Sequence, residues 1–246
     1  MLLLFTDIEG WLNGISALGV LSINIIIGIY GLYKAGKKAK LLTVTALTII
    51  SIAFLWLGPT TDFINILIND ANITPYLYPL LSYMWAAPGI TLGMYIGGEL
   101  LIPKKKWILV GIFIIISIAY EYFLFSSPIN SFNFTIPGVG EVEDPTGLIG
   151  DGSNIIDTSS NYGYPTAYFL IVFILSILIF NGIGFLVKAK QATGILRKKF
   201  LYLASGFIVF AIIVAFDSVV PPMIAVFIVR FGIIISSILI YLGIKT

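Results

Sequence analysis

The chain has 246 residues, of which 59% are hydrophobic and 11% charged, with a net charge of +2. A soluble domain carries roughly 25% charged residues, so this chain lacks the charge to cover a water-facing surface, and lipid is its expected solvent. It contains no Cys and no His; this excludes disulfides, thiolate chemistry and thiolate metal sites, and it removes the commonest general base and zinc ligand.

The N-terminal Met1–Phe5 lacks the basic region of a signal peptide, and Asp7 and Glu9 follow at once. It reads as a short outer segment leading into a first span. A helical span needs about 20 mostly apolar residues. Seven stretches qualify, at about 11–33, 41–59, 76–102, 107–125, 165–187, 200–220 and 222–244; Pro59 can kink the second without ending it, in which case it runs on to Leu67. The predicted fold is all-α: one seven-helix membrane domain covering 1–246.

Lys34, Lys37, Lys38 and Lys40 follow the first span, Lys104, Lys105 and Lys106 the third, and Lys188, Lys190, Arg197, Lys198 and Lys199 the fifth. Lys245 follows the seventh. Every one of the 14 Lys and Arg except Arg230 therefore falls on one side. The positive-inside rule makes that side cytoplasmic, with the N-terminus outside and the C-terminus inside. The opposite loops are acidic. They also hold two glycosylation acceptor patterns, at Asn72 and Asn133.

The one long connection, 126–164, is outside. It alternates polar and apolar residues over 131–136, turns at Pro137-Gly138 and alternates again to Glu143. That pattern predicts a small β-hairpin over the outer mouth; a solvated spacer is the plainer reading. Glu141, Glu143, Asp144, Asp151 and Asp157 do not match the spacing of a helix-loop-helix calcium site, and no metal is expected.

Arg230, Asp217 and Glu121 are charges inside spans, where they are costly and face the bundle interior. A rise of 1.5 Å per residue puts Asp217 roughly 5 Å, Glu121 roughly 8 Å and Arg230 roughly 12 Å below the outer surface. The helix pair carrying Asp217 and Arg230 is joined by Pro221-Pro222. Two readings stand: an ion pair that locks helices together, or the polar floor of an outward pocket that takes a small ligand. Asp62, Tyr83 and Trp85 are candidate members of that pocket, with Tyr120, Tyr122 and Tyr168 at similar depth. For most of these aromatics an interfacial belt is the simpler role.

Gly89, Gly93 and Gly97 lie four apart on one helix face and allow close helix packing. Asn24 and Asn181 read as hydrogen-bonding glue between helices. Glu99 is expected to pair with a neighbouring Lys. Lys188, Lys190, Arg197, Lys198 and Lys199 can dock an acidic cytoplasmic signalling partner or anionic lipid, although topology alone accounts for them. The bilayer itself is the first partner, and nucleic acid is not expected among the others.

A retinal protein needs a Lys in the middle of the seventh helix, where Arg230 stands instead. Receptor signatures of the Asp-Arg-Tyr type are replaced by Glu99-Leu100-Leu101. The stretch Gly194-Ile195-Leu196-Arg197-Lys198-Lys199-Phe200-Leu201-Tyr202-Leu203, with the helix pair that follows, resembles the N-terminal seven-helix sensory region of microbial histidine kinases and related prokaryotic proteins. The resemblance implies a sensor and assigns no individual residue; with no His, no Cys and no mid-membrane acid pair, an enzyme is not expected. No soluble domain is expected on either side, so an output would pass to another protein. A small-solute or ion transporter or channel, and a structural accessory subunit of a membrane complex, are the alternatives; no cofactor is expected in any of them.

Overall fold

A computed structural model describes residues 8–36, 39–136, 140–141, 155–217 and 224–245. Ten helices carry most of them: α1 (Ile8–Ala35), α2 (Lys40–Phe54), α3 (Leu57–Asn69), α4 (Leu77–Tyr83), α5 (Ala86–Leu101), α6 (Lys106–Ser126), α7 (Pro165–Ser176), α8 (Gly184–Gln191), α9 (Gly194–Asp217) and α10 (Ile224–Ile244). The fold is predominantly α-helical, and its apolar lengths are those of a membrane protein. Among the described residues, four helical stretches are long and apolar enough to cross a bilayer, or five if the bent pair α2–α3 is one span.

The predicted second and third spans are not single straight helices. α2 and α3 meet at 46° across Leu55-Trp56, and α3 runs through Pro59 to Asn69, the kinked alternative for the second stretch. α4 and α5 break at Met84-Trp85. Both breaks have one cause. A proline has no N–H to give the carbonyl four residues back, and its ring crowds that carbonyl. Pro59 acts this way on Leu55, and Pro88 on Met84. The predicted fifth span contains a π-helical turn, Ile177–Ile183, between α7 and α8.

The predicted hairpin is present. β1 (Phe132–Ile136) pairs antiparallel with β2 (Gly140–Glu141) in the register Thr135 to Glu141 and Ile136 to Gly140. Residues 137–139, the turn itself, lie outside the described residues. A third strand, β3 (Asp157–Ser160), pairs along the other edge of β1, giving the order β2-β1-β3. The inward residues of β1, Phe132, Phe134 and Ile136, are buried, so the sheet packs onto the helices rather than standing in solvent.

Gly58 marks the closest approach of the broken helices: a Cβ there would stand 2.0 Å from Ser82 Oγ and 2.7 Å from the Tyr78 carbonyl oxygen. The main core joins all these layers, from Ile49 and Ile52 of α2 through Met94 of α5 to Phe207 of α9 and Ile240 of α10.

Candidate functional site

Both helix breaks face one cavity of about 370 Å³, within the size range of small-ligand sites, about 300–1,000 Å³. Trp56 and Pro59 line it from the first break, and Trp85 and Ala86 from the second. Its body is apolar, formed by residues such as Ile52, Leu55, Ile174, Phe207 and Phe210. Thr48, Ser51 and Ser82 also line it, with hydroxyls that donate to their own helix carbonyls, and its charged end is lined by Asp157, Thr158 and Ser160 of β3, Asp217 at the end of α9 and Arg230 of α10. The rings of Tyr78 and Tyr83 lie within electrostatic reach of Asp157 and Arg230.

Arg230 is 4% exposed. Its Nη1 donates to the Asn13 carbonyl oxygen at 2.7 Å, to Ser16 Oγ at 3.0 Å and to the Asn13 side-chain oxygen. Asp217 Oδ1 stands 3.7 Å from Arg230 Nε, an ion-pair contact too long for a hydrogen bond. Asp217 Oδ1, Arg230 Nε and Trp85 Nε1 are buried with no hydrogen-bond partner among the described residues.

Asp157 takes a hydrogen bond from the Thr158 N–H at 2.9 Å. Burial pushes its carboxyl up to about 6; Arg230 pulls it down and Asp217 pushes it up. The polar end thus gathers two carboxylates and one guanidinium, the latter already held by neutral acceptors.

The other residues singled out in the sequence divide. Tyr83 and Trp85 do line the cavity. The Tyr83 ring stacks on Phe132 at 4.1 Å and its hydroxyl meets Thr158 Oγ1 at 3.2 Å. Trp85 packs on Phe54 at 4.5 Å. Tyr120 is wholly buried and donates to the Tyr83 carbonyl at 2.9 Å. Tyr122 and Tyr168 face outward.

Glu121 is not with Arg230. It lies in a separate shallow groove with Ala87, Pro88 and Ser117, between α5 and α6. Five residues before the end of α6 gave it the right depth but the wrong azimuth.

Asp62 is neither in water nor on the cavity. It is fully buried and accepts three hydrogen bonds, from Asn72 Nδ2 at 2.9 Å, Ile73 N–H at 2.8 Å and Ile156 N–H at 2.9 Å. This carboxylate ties α3 to the segment entering β3. The same bond corrects the reading of Asn72 as a glycan acceptor, because its nitrogen is buried and donating to Asp62. Asn133 sits half-buried in β1.

Asn181, on the π-helical turn, lies against the glycine face. Its Nδ2 donates to the Gly93 carbonyl at 2.9 Å, and a Cβ at Gly97 would meet its Oδ1 at 2.1 Å. Gly89 instead faces Ser51 of α2. Asn24 is equally buried but has no hydrogen-bond partner among the described residues. Glu99 pairs with Lys106. Lys190, Arg197 and Lys198 are exposed, and Lys188 and Lys199 half-exposed, around the α8–α9 connection. Pro221-Pro222 lies outside the described residues, as do Glu143, Asp144 and Asp151.

Asn13, Ser16 and Asp157 are the members that sequence reasoning missed. Asn13 and Ser16 lie three apart and one face-length of α1 from Asn24, a spacing that marks a polar stripe on an otherwise apolar span. No protein-family model matches the chain, and comparison with curated proteins finds no match.

Proposed function

We propose that the protein is a seven-helix membrane receptor or sensor that binds a small ligand in the cavity beside Asp157, Asp217 and Arg230. The spans are α1, the broken pairs α2–α3 and α4–α5, α6, α7 through α8, α9 and α10. The basic ends face the cytoplasm, as the positive-inside rule directs. The likeness to histidine-kinase sensory regions belongs to the same proposal.

The observation that carries the reading is that two helix breaks, a strand of the outer sheet and an intramembrane charge cluster converge on one cavity. A helix-locking ion pair needs no such space. Arg230 also donates its hydrogen bonds to Asn13 and Ser16, leaving Asp217 Oδ1 without one among the described residues. The output route is α9, which runs unbroken from Arg197, Lys198 and Lys199 to Asp217. Its 24 residues span roughly 36 Å at 1.5 Å each, so a tilt at Asp217 moves the basic end. The α8–α9 connection then presents Lys188, Lys190 and Arg197 differently to an acidic signalling protein or to anionic lipid.

The test needs no ligand. Ala86→Phe fills the cavity and stands in for occupancy. Spin labels on cysteines introduced at Lys104 and Gln191 report the distance between two basic ends, in a chain with no other Cys. A receptor shifts this distance by several ångströms on filling. An unchanged distance with an unchanged fold contradicts the sensor reading.

A further inference from the structure

The cavity has an asymmetry that specifies its ligand. Its apolar lining includes residues that are themselves exposed on the flank of the bundle. Ile171 and Leu175 of α7 are 39% and 46% exposed, and Ala215 of α9, across from them, is exposed as well. The cavity wall formed by α7 and α9 thus includes residues that also reach the surface of the bundle. Its volume of about 370 Å³ holds roughly a dozen water-sized groups at about 30 Å³ each.

At the polar end Asp157 and Asp217 outnumber Arg230, and Arg230 is already engaged by Asn13 and Ser16. Among the described residues Asp217 Oδ1 has a lone pair without a donor. Tyr78, Tyr83 and Trp85 present aromatic surface to the same cavity. Carboxylate plus aromatic lining is the chemistry that recognises an ammonium group.

We propose that the cavity takes a single-chain amphiphile with a primary ammonium head, entering from the bilayer between α7 and α9. The head lies between Asp157 and Asp217 against the aromatic rings, and a chain of about ten carbons, sized from the cavity volume, fills the body lined by Ile52, Ile174 and Phe210. This rests on the reading of the cavity as a ligand site. Lipid tails are as apolar as Leu, so the chain gains little by leaving the bilayer. The head sets the affinity, and that makes charge the variable to test.

The probe is radiolabelled decylamine, added to the protein in nanodiscs, with protein-free nanodiscs giving the partition background. The expected result is a saturable excess of one amine per protein. Unlabelled decylamine displaces it, decanol does so weakly, and decanoate does not. Ala86→Phe abolishes the excess. Asp217→Asn weakens it at least tenfold; Asp157→Asn, outside the spans, gives the same direction should Asp217→Asn fail to fold. Absence of a saturable excess overturns the proposal, as does an excess unaltered by Ala86→Phe or displaced equally by decanoate. If filling the cavity moves the basic ends but decylamine shows no excess, the ligand class falls and the receptor reading stands. If decylamine binds as expected but filling moves nothing, the site and its ligand stand without the signalling role.

Discussion

Arg230 Nη1 donates to the backbone carbonyl of Asn13 at 2.7 Å and also to its side-chain oxygen, so a neutral residue of α1 is the main partner of the cation on α10. Hydrogen bonds to charged groups are worth about 1.5–3 kcal/mol each. Asn13→Leu removes the side-chain acceptor and leaves part of a buried guanidinium unpaired. Its unfolding midpoint in detergent is expected to fall by an amount equivalent to about 2 kcal/mol. Asp217→Asn, which removes only a 3.7 Å contact, is expected to cost less. The reverse order would return the ion pair to first place in holding α10.

Asp62 offers a separate test, of the sheet's attachment to the helices. Its oxygens accept from Asn72, Ile73 and Ile156. In Asp62→Asn one of those acceptors becomes an NH₂ donor facing another donor. Leaving a buried amide unsatisfied costs about 1–3 kcal/mol. Hydrogen exchange at the Ile156 and Ile73 amides is expected to rise by tenfold or more, while exchange in the middle of α6 stays as it was. Unchanged exchange at Ile156 would remove Asp62 as the anchor of β3.

The glycine face of α5 gives a steric prediction. A methyl at Gly97 would stand 2.1 Å from Asn181 Oδ1, so Gly97→Ala must push the carboxamide off Gly93. Overpacking of this kind costs about 1–3 kcal/mol. Gly111→Ala, with nothing within 4 Å, is the control and is expected to be neutral or slightly stabilising in its helix. Equal midpoints for the two variants would mean that the π-helical turn does not bear on this face.

Asp157 gives a pH dependence. Burial raises its carboxyl from 3.8 to about 6, with Arg230 opposing and Asp217 adding to the shift. The folded protein then holds the proton more tightly than the unfolded chain. The stability this group supplies is full below about pH 4 and is lost as pH rises through about 6. Asp157→Asn should therefore gain in midpoint relative to the unsubstituted protein as pH goes from about 4 to about 6.5. A constant difference between the two across that range would place Asp157 in water.

Much of this arrangement is written locally. The apolar runs, the hairpin of β1 and β2, the glycine face and the proximity of Asp217 to Arg230 follow from hydropathy, alternation, a four-residue spacing and helical rise. The helix breaks were legible too, in a Trp-x-x-Pro pattern that occurs at Trp56–Pro59 and again at Trp85–Pro88. Pro59 alone reads as a kink, because Pro88 falls inside an apolar run of span length. Depth along a helix can be counted from the sequence, but azimuth depends on which neighbours pack beside it. That is why Glu121 had the right height and faces another groove. β3 was illegible because Asp157-Thr158-Ser159-Ser160 has no apolar alternation; it is a strand only because β1 offers it an edge. Asn13 does not stand out because a single amide in a predicted first span carries no charge to demand explanation.

The proposed topology, with β3 and the polar end of the cavity on the outer side, is tested most directly by labelling cysteines in intact cells with a membrane-impermeant maleimide. The chain has no Cys of its own, so Ser160→Cys, on the cavity wall, and Gln191→Cys, at a basic end, each report one position. Ser160→Cys is expected to label from outside, and more slowly when Ala86→Phe fills the cavity, while Gln191→Cys labels only after the cells are permeabilised. Labelling of Gln191→Cys in intact cells, or protection of Ser160→Cys until lysis, would contradict it.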